Sequence, residues 1–263
     1  NLIKFQMNQM TANAMTLSLP GDNHLNFYQT FQKETAPFRQ ALLQEATFHS
    51  LINGTISKEA YALFLRETYH FASHTSRFLA AAASRIPEEK MKIRTRFLHH
   101  ALEEDGHHLF ALKDLRNLGF GDGFAKESLP LAGTTAIVSY HYYIAHMGNP
   151  VGMMGAVLVF EGLALDFASK SSEEIRERHG LPSYAVTFLH THGHFDIDHM
   201  ADAIKVLNTE ITDPQDQRDI IEVAKKMYDF YRWNFLEIGL LTGVERDREV
   251  LHTNSCKNPE ASS

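Results

Sequence analysis

Met153-Met154-Gly155-Ala156-Val157-Leu158-Val159-Phe160-Glu161-Gly162-Leu163-Ala164-Leu165 reads as a helix that is apolar on nearly every side, with one acid, Glu161, in its middle. A helix with no polar face belongs at the centre of a bundle, covered by other helices. A carboxylate placed there must be protonated, hydrogen-bonded or matched by a cation, because an isolated buried charge is very costly. On this stretch alone, a hydrogen-bonded core acid and a metal ligand both remain open.

The flanking sequence supplies the surrounding helices. Ser57 has the position of an N-cap for a helix reaching about Arg85, stopped by Ile86-Pro87. Glu88 to Leu118 reads as a second helix, closed by Gly119 and the loop Gly121-Asp122-Gly123. A third spans about Thr134 to Met147 and is broken by Gly148-Asn149-Pro150, after which residues 151–169 form the central helix. Pro182 opens another, to about Leu207, and Asp213-Pro214 starts a last one reaching about Leu241. Alternating β-branched runs are missing, so the expected fold is all-α, an up-and-down helical bundle without a sheet of consequence. Residues 1–25 are polar and aperiodic and read as a flexible arm; residues 26–254 read as a single helical domain; residues 255–263 read as a disordered tail.

Composition narrows the function classes. A net charge of -7 with scattered basic residues gives no surface that attracts a phosphate backbone, so no nucleic acid partner is expected. No run of 18 apolar residues is present, so no membrane span is expected. The N-terminal stretch lacks a basic segment followed by an apolar one, which favours the cytoplasm. The single cysteine, Cys256, can form neither an internal disulfide nor a zinc-thiolate site. Sixteen histidines make their spacing worth reading.

His192, Asp196 and His199 form a His-x-x-x-Asp-x-x-His pattern. Positions i, i+4 and i+7 share one helical stripe, whereas His190, His194 and Asp198 fall on the opposite side. Glu104 and His107 form Glu-x-x-His, a ligand unit of helical-bundle diiron proteins; Glu103 with His107 is the alternative pairing. With Glu161 these residues supply three carboxylates and three imidazoles from three helices. Carboxylates bridge two irons, and imidazoles complete each coordination sphere while leaving positions open for O2.

Three stretches resemble the heme-oxygenase-like diiron oxidases and oxygenases, iron-containing redox enzymes related to the thiaminase-II-like proteins. They are Glu103-Glu104-Asp105-Gly106-His107-His108 with Asp114-Leu115 and Leu118-Gly119, Gly148-Asn149-Pro150-Val151-Gly152 running into Phe160-Glu161-Gly162, and Thr191-His192-Gly193 through His199. The resemblance covers about residues 57–240. It implies a heme-oxygenase-like helical bundle of about seven helices. It implies that Glu104, His107, Glu161 and His192 surround one iron, and that Asp196 and His199 hold the other, with Glu104 or Glu161 shared. The implied cofactors are two Fe2+ ions with O2 as co-substrate. The implied substrate is a small amine, amino acid or fatty-acid-like molecule of specialised metabolism, oxidised by N-oxygenation or by oxidative C–C cleavage. An external electron donor and a homodimer are compatible with this reading. Relatives hold the second iron weakly, and Gly193, Asp196 and Asp198 lower the intrinsic stability of the last ligand helix here. Metal binding is therefore expected to order residues from about 190 to 202.

Other readings of the same chain differ in one residue or another. A metal-free hydrolase needs a cysteine nucleophile in its pocket, and Cys256 lies in the tail. A heme oxygenase needs a proximal histidine early in the chain, for which His24 or His49 are the nominees. A non-catalytic helical binding protein would leave the sorted ligand stripe without a purpose. Glu67, His70 and His74 also share a stripe, either contacting substrate or metal or forming structural hydrogen bonds. His141 and His146 stand beside Tyr140, Tyr142 and Tyr143, as pocket lining or as core.

Overall fold

The structure is a computed structural model that describes residues 26–243, without the side chains of residues 194–199. The expected arm and tail lie outside the described residues. Among those residues there is no strand. The helices are α1 (Phe27–Leu43), α2 (Ala46–Ile52), α3 (Lys58–Ala72), α4 (Thr75–Arg85), α5 (Met91–Glu103), α6 (His108–Asn117), the short α7 (Gly123–Lys126), α8 (Ala132–His146), α9 (Met153–Leu163), α10 (Ser169–Arg178), α11 (Thr187–Glu210) and α12 (Pro214–Thr242).

The ends of these helices follow from their sequence. Asn26 and Gln29 form a reciprocal capping box at the start of α1. The Ser57 side chain accepts from Ala60 N, as an N-cap does, and Asp213 caps α12 with Pro214 in its first turn. The fold exceeds the expected count of about seven helices because α1, α2, α7 and α10 lie in stretches where no helix was expected and because two long rods are broken. The first breaks at Ser73-His74 between α3 and α4. The second breaks at residues 104–107, where Gly106 adopts φ +90°, a backbone conformation that removes it from any right-handed helix. The Glu-x-x-His pair therefore spans a turn between α5 and α6, not one helical face.

The apolar α9 lies at the centre, packed against α12 and α11, while α12 also covers α1 and α8. Residues Ala164–Ala168 continue α9 as a π-helical segment into α10. The rod Pro150–Arg178 is long and apolar enough to cross a membrane by composition. In this fold 67% of its most apolar window is buried against other helices, which accounts for its hydropathy.

Candidate metal centre

The centre is built from α5, the α5–α6 turn, α9 and α11. On α5, Ile93, Phe97, His100 and Glu104 follow one another at steps of three and four and are all buried. Glu161 is buried on α9, three residues before the π-helical segment. His192 stands on α11 within a turn of the helix's first residues.

These side chains meet. His100 Nε2 lies 2.8 Å from Glu161 Oε1 and 3.8 Å from Glu104 Oε1. His107 Nδ1 lies 3.1 Å from Glu104 Oε1. The rings of His107 and His192 are nearly perpendicular, with centroids 4.9 Å apart. His192 Nδ1 donates to Phe188 O at 2.8 Å, so the ring's Nε2 is the nitrogen left for a ligand. The result is two overlapping trios, Glu104–His107–His192 and His100–Glu104–Glu161, whose ligand atoms lie within 4.8 Å of one another. Glu104 belongs to both. Burial pushes the Glu104 carboxyl up, but the hydrogen bond from His107 and the charges of His100, His192 and His107 prevail and hold it below its ordinary value. Burial pushes His192 down, against the raising effect of Glu104 and of the Phe188 carbonyl.

Glu104, His107, Glu161 and His192 are thus brought together. Asp196 and His199 lie outside the residues whose side chains are described, although the α11 backbone is helical through both. Glu103 turns outward, and its side chain meets Arg96 at 3.5 Å. His100 was not among the expected ligands; its signal was the apolar stripe Ile93, Phe97, His100, Glu104 on α5. Asp114 was missed as well. Fully buried on α6, it accepts from Thr187 Oγ1 at 2.6 Å and Phe188 N at 2.8 Å, and so caps the helix that carries His192.

Gly193 is placed differently from its reading as a weak point. A Cβ there would collide with Ser169 Oγ and fall 2.6 Å from Ser169 N, so the glycine lets α11 approach the π-helical junction. The early stripe is tied into hydrogen bonds, and its Glu67 also lines the cavity beside the cluster. Glu67 accepts from Leu131 N at 2.8 Å and pairs with Arg66, His70 bonds Ser128, and His74 bonds the Tyr142 hydroxyl.

Beside the cluster is a cavity of about 150 Å³. His100, Glu104, Glu161 and His192 contribute to its wall, and Phe71, Phe78, Val157 and Phe160 make much of it apolar. Cavities of this size accept molecules on the scale of benzene.

The sequence profile of the iron-containing redox enzyme family matches residues 62–232. The chain belongs to that family. No curated protein matches this iron-containing redox enzyme. Among solved structures it is similar to a domain of unknown function with a heme oxygenase-like fold from Shewanella denitrificans, at 22% identity and TM-score 0.72, covering 90% of this chain and 99% of that one. It is also similar to a TenA homolog from Pseudomonas syringae, at 12% identity and TM-score 0.69, covering 82% and 93%. Heme oxygenase-2 from Synechocystis, solved with heme and NO, matches at 16% identity and TM-score 0.68, covering 90% and 95%. At these identities the likeness establishes the heme oxygenase-like fold of this iron-containing redox enzyme.

Proposed function

We propose that this iron-containing redox enzyme is a non-heme diiron oxidase or oxygenase that uses O2 to oxidise a small substrate. The observation that carries the reading is the pair of overlapping carboxylate–imidazole trios that share Glu104 and face the cavity. The donor set fits iron: carboxylates and neutral imidazoles are suitable ligands, and a cation offsets the charge of acids buried this deeply. Glu104, His107 and His192 would hold one iron, and His100 and Glu161 join Glu104 toward a second. Asp196 and His199, one and two turns beyond His192 along the α11 backbone, would complete the set. Bound iron would supply the redox chemistry with O2.

The chain's own groups have distinct tasks. His100 Nε2 stands 2.8 Å from Glu161 Oε1, close enough for both to turn to one cation, and Phe188 O fixes the His192 tautomer. The apolar wall keeps water from the reacting region and positions the substrate's hydrocarbon part. N-oxygenation of an amine and oxidative C–C cleavage are the two outcomes in view, with an external donor supplying electrons where the balance requires them.

A heme-binding reading has less support. Of the two nominees His24 lies outside the described residues and His49 is exposed and bonded to Asn53, and a cavity of about 150 Å³ is small for a porphyrin. A cysteine hydrolase is disfavoured because the sole cysteine, Cys256, stands in the polar C-terminal stretch outside the described residues, and among the described residues no cysteine lines the cavity. The test is anaerobic Fe(II) titration with elemental analysis, followed by O2 uptake with candidate amines and acids. About two irons per chain are expected, with a site lost in Glu161→Ala and in His100→Ala. Full iron content and turnover in Glu161→Ala would overturn the assignment.

A further inference from the structure

The wall of the cavity that carries no member of the cluster is polar in a particular way. It is formed by α8 and α12. Thr134 and His141 lie on one face of α8, seven residues apart, and Tyr231 and Asn234 lie three apart on α12. All four line the cavity. Gly133 brings the two helices together, since a Cβ there would fall 2.5 Å from Asn234 N.

Two of these side chains are orphaned. Asn234 is 3% exposed and Thr134 is 1% exposed, yet Asn234 Oδ1 and Thr134 Oγ1 have no hydrogen-bond partner among the described residues. Buried polar atoms in folded proteins are ordinarily satisfied by protein, water or ligand. His141 adds a third polar group. Its Nδ1 lies 2.7 Å from Ile137 O, and a carbonyl can only accept, so the ring proton sits on Nδ1 and Nε2 is an acceptor. Burial pushes this imidazole down to about 4, so it is neutral near pH 7. Burial pushes the Tyr231 phenol well up, so it keeps its proton.

Two acceptors stand on this wall, the Asn234 amide oxygen and the His141 Nε2, beside the Asn234 amide N–H groups, which donate, and hydroxyls that can do either. Among the described residues no Lys or Arg lines the cavity, whereas Glu67, Glu104 and Glu161 do. A carboxylate head group would face lone pairs and find no cation there. An alcohol would donate one hydrogen bond to these acceptors and an amine more than one, with the hydrocarbon part resting against Phe71, Phe78 and Phe160.

We propose that the α8–α12 wall selects the substrate's head group, binding one that donates hydrogen bonds and bears no negative charge, an alcohol or amine on a body of about benzene size. This deepens the oxidase reading and rests on it in taking the cavity as the substrate site. It narrows the substrate away from free carboxylic acids at this wall.

The test is calorimetric titration of the full chain after chelation, with benzyl alcohol, benzylamine, benzoate and toluene as probes. The alcohol and the amine are expected to bind at least about tenfold tighter than benzoate or toluene. Asn234→Leu should bring the alcohol to within about threefold of toluene, with no loss of melting temperature, because an orphaned polar atom has been replaced by an apolar one. A merely structural asparagine would instead lower the melting temperature. Should Asn234→Leu not melt cooperatively, Thr134→Val and His141→Phe carry the same comparison. Benzoate binding as tightly as the alcohol, absence of binding by all four probes, or an unchanged preference in the variants would each overturn the proposal. Iron content of the same preparations keeps the two readings apart. Variants that lose the preference while retaining iron support the wall's role. Wild-type protein that shows the preference but binds no iron would sink the diiron reading alone.

Discussion

Glu103 and Glu104 are neighbours in the chain and opposites in environment. The Glu103 side chain is 43% exposed beside Arg96, whereas Glu104 is buried between His100 and His107. Glu104→Ala is expected to lower iron affinity by about tenfold to a hundredfold or more, and Glu103→Ala to leave it within about threefold, as read by competition titration. Equal losses would show that the pair has been assigned to the wrong carboxylate. The choice between these acids was open from spacing alone, because the break at Gly106 changes which positions share a face. His100 was legible in the α5 stripe but was overlooked, because attention to Glu-x-x-His spacing runs forward from the acid and His100 precedes it. His141 carries a pH prediction. Its folded-state value of about 4 lies below the ordinary 6.5, because burial disfavours the charged ring. The unfolded chain therefore takes up this proton first as pH falls. The stability involved is fully present above about 6.5 and is lost between there and about 4, to a total of roughly 3 kcal/mol. His141→Phe, which keeps a ring against Phe78, should flatten this part of the pH dependence in urea unfolding at pH 5 and 7. An identical slope in both proteins would remove His141 as its source.

Helix α11 depends on contacts at two points. Asp114 caps its first turn from α6, and Gly193 seats it against Ser169. Asp114→Ala leaves the Thr187 hydroxyl and Phe188 amide without their acceptor, which costs about 1–2 kcal/mol and should weaken iron binding through His192. Asp114→Asn keeps one acceptor and should lie between. Wild-type iron affinity in Asp114→Ala would show that the cap does not position the ligand. Gly193 separates two arguments by sign. Helix propensity alone says that Gly193→Ala stabilises by about 0.5–1 kcal/mol. The Ser169 backbone says that it destabilises, by about 1–3 kcal/mol, because a methyl group there forces the helices apart. A chemical denaturation curve decides between them. The helices were largely legible from caps and breakers: Ser57, Asp213-Pro214 and Gly148-Asn149-Pro150 mark real boundaries. The close approach at Gly193 was not, because it is set by a partner 24 residues away in sequence whose distance in space no local pattern reveals.

At the scale of the whole molecule, the cluster joins residues from 100 to 192 and sits where four separate elements cross. Folding must therefore bring two acids, Glu104 and Glu161, into one buried site. The apolar run placed Glu161 in the core and the Glu-x-x-His spacing offered Glu104, but the distance between them is a property of the assembled bundle. His100, His107 and His192 moderate the charge of the two acids, and iron would do so more completely. A ligand that binds the folded chain and not the unfolded one stabilises by about 2.7 kcal/mol when present at a hundredfold its Kd. For a domain of this length each kcal/mol corresponds to about 2–4 °C. Anaerobic Fe(II) at that excess should therefore raise the melting temperature by about 5–10 °C. Glu161→Gln should reduce this shift, since only the Glu104–His107–His192 trio remains whole, while leaving the metal-free melting temperature unchanged or higher, because it removes one of two like charges and keeps a group able to hydrogen-bond His100. Hydrogen exchange on the same samples adds the location, with residues from about 190 to 202 gaining protection when iron binds the wild-type chain and gaining less in Glu161→Gln. A melting shift of full size in Glu161→Gln would mean that iron stabilises the bundle from somewhere other than this crossing of helices.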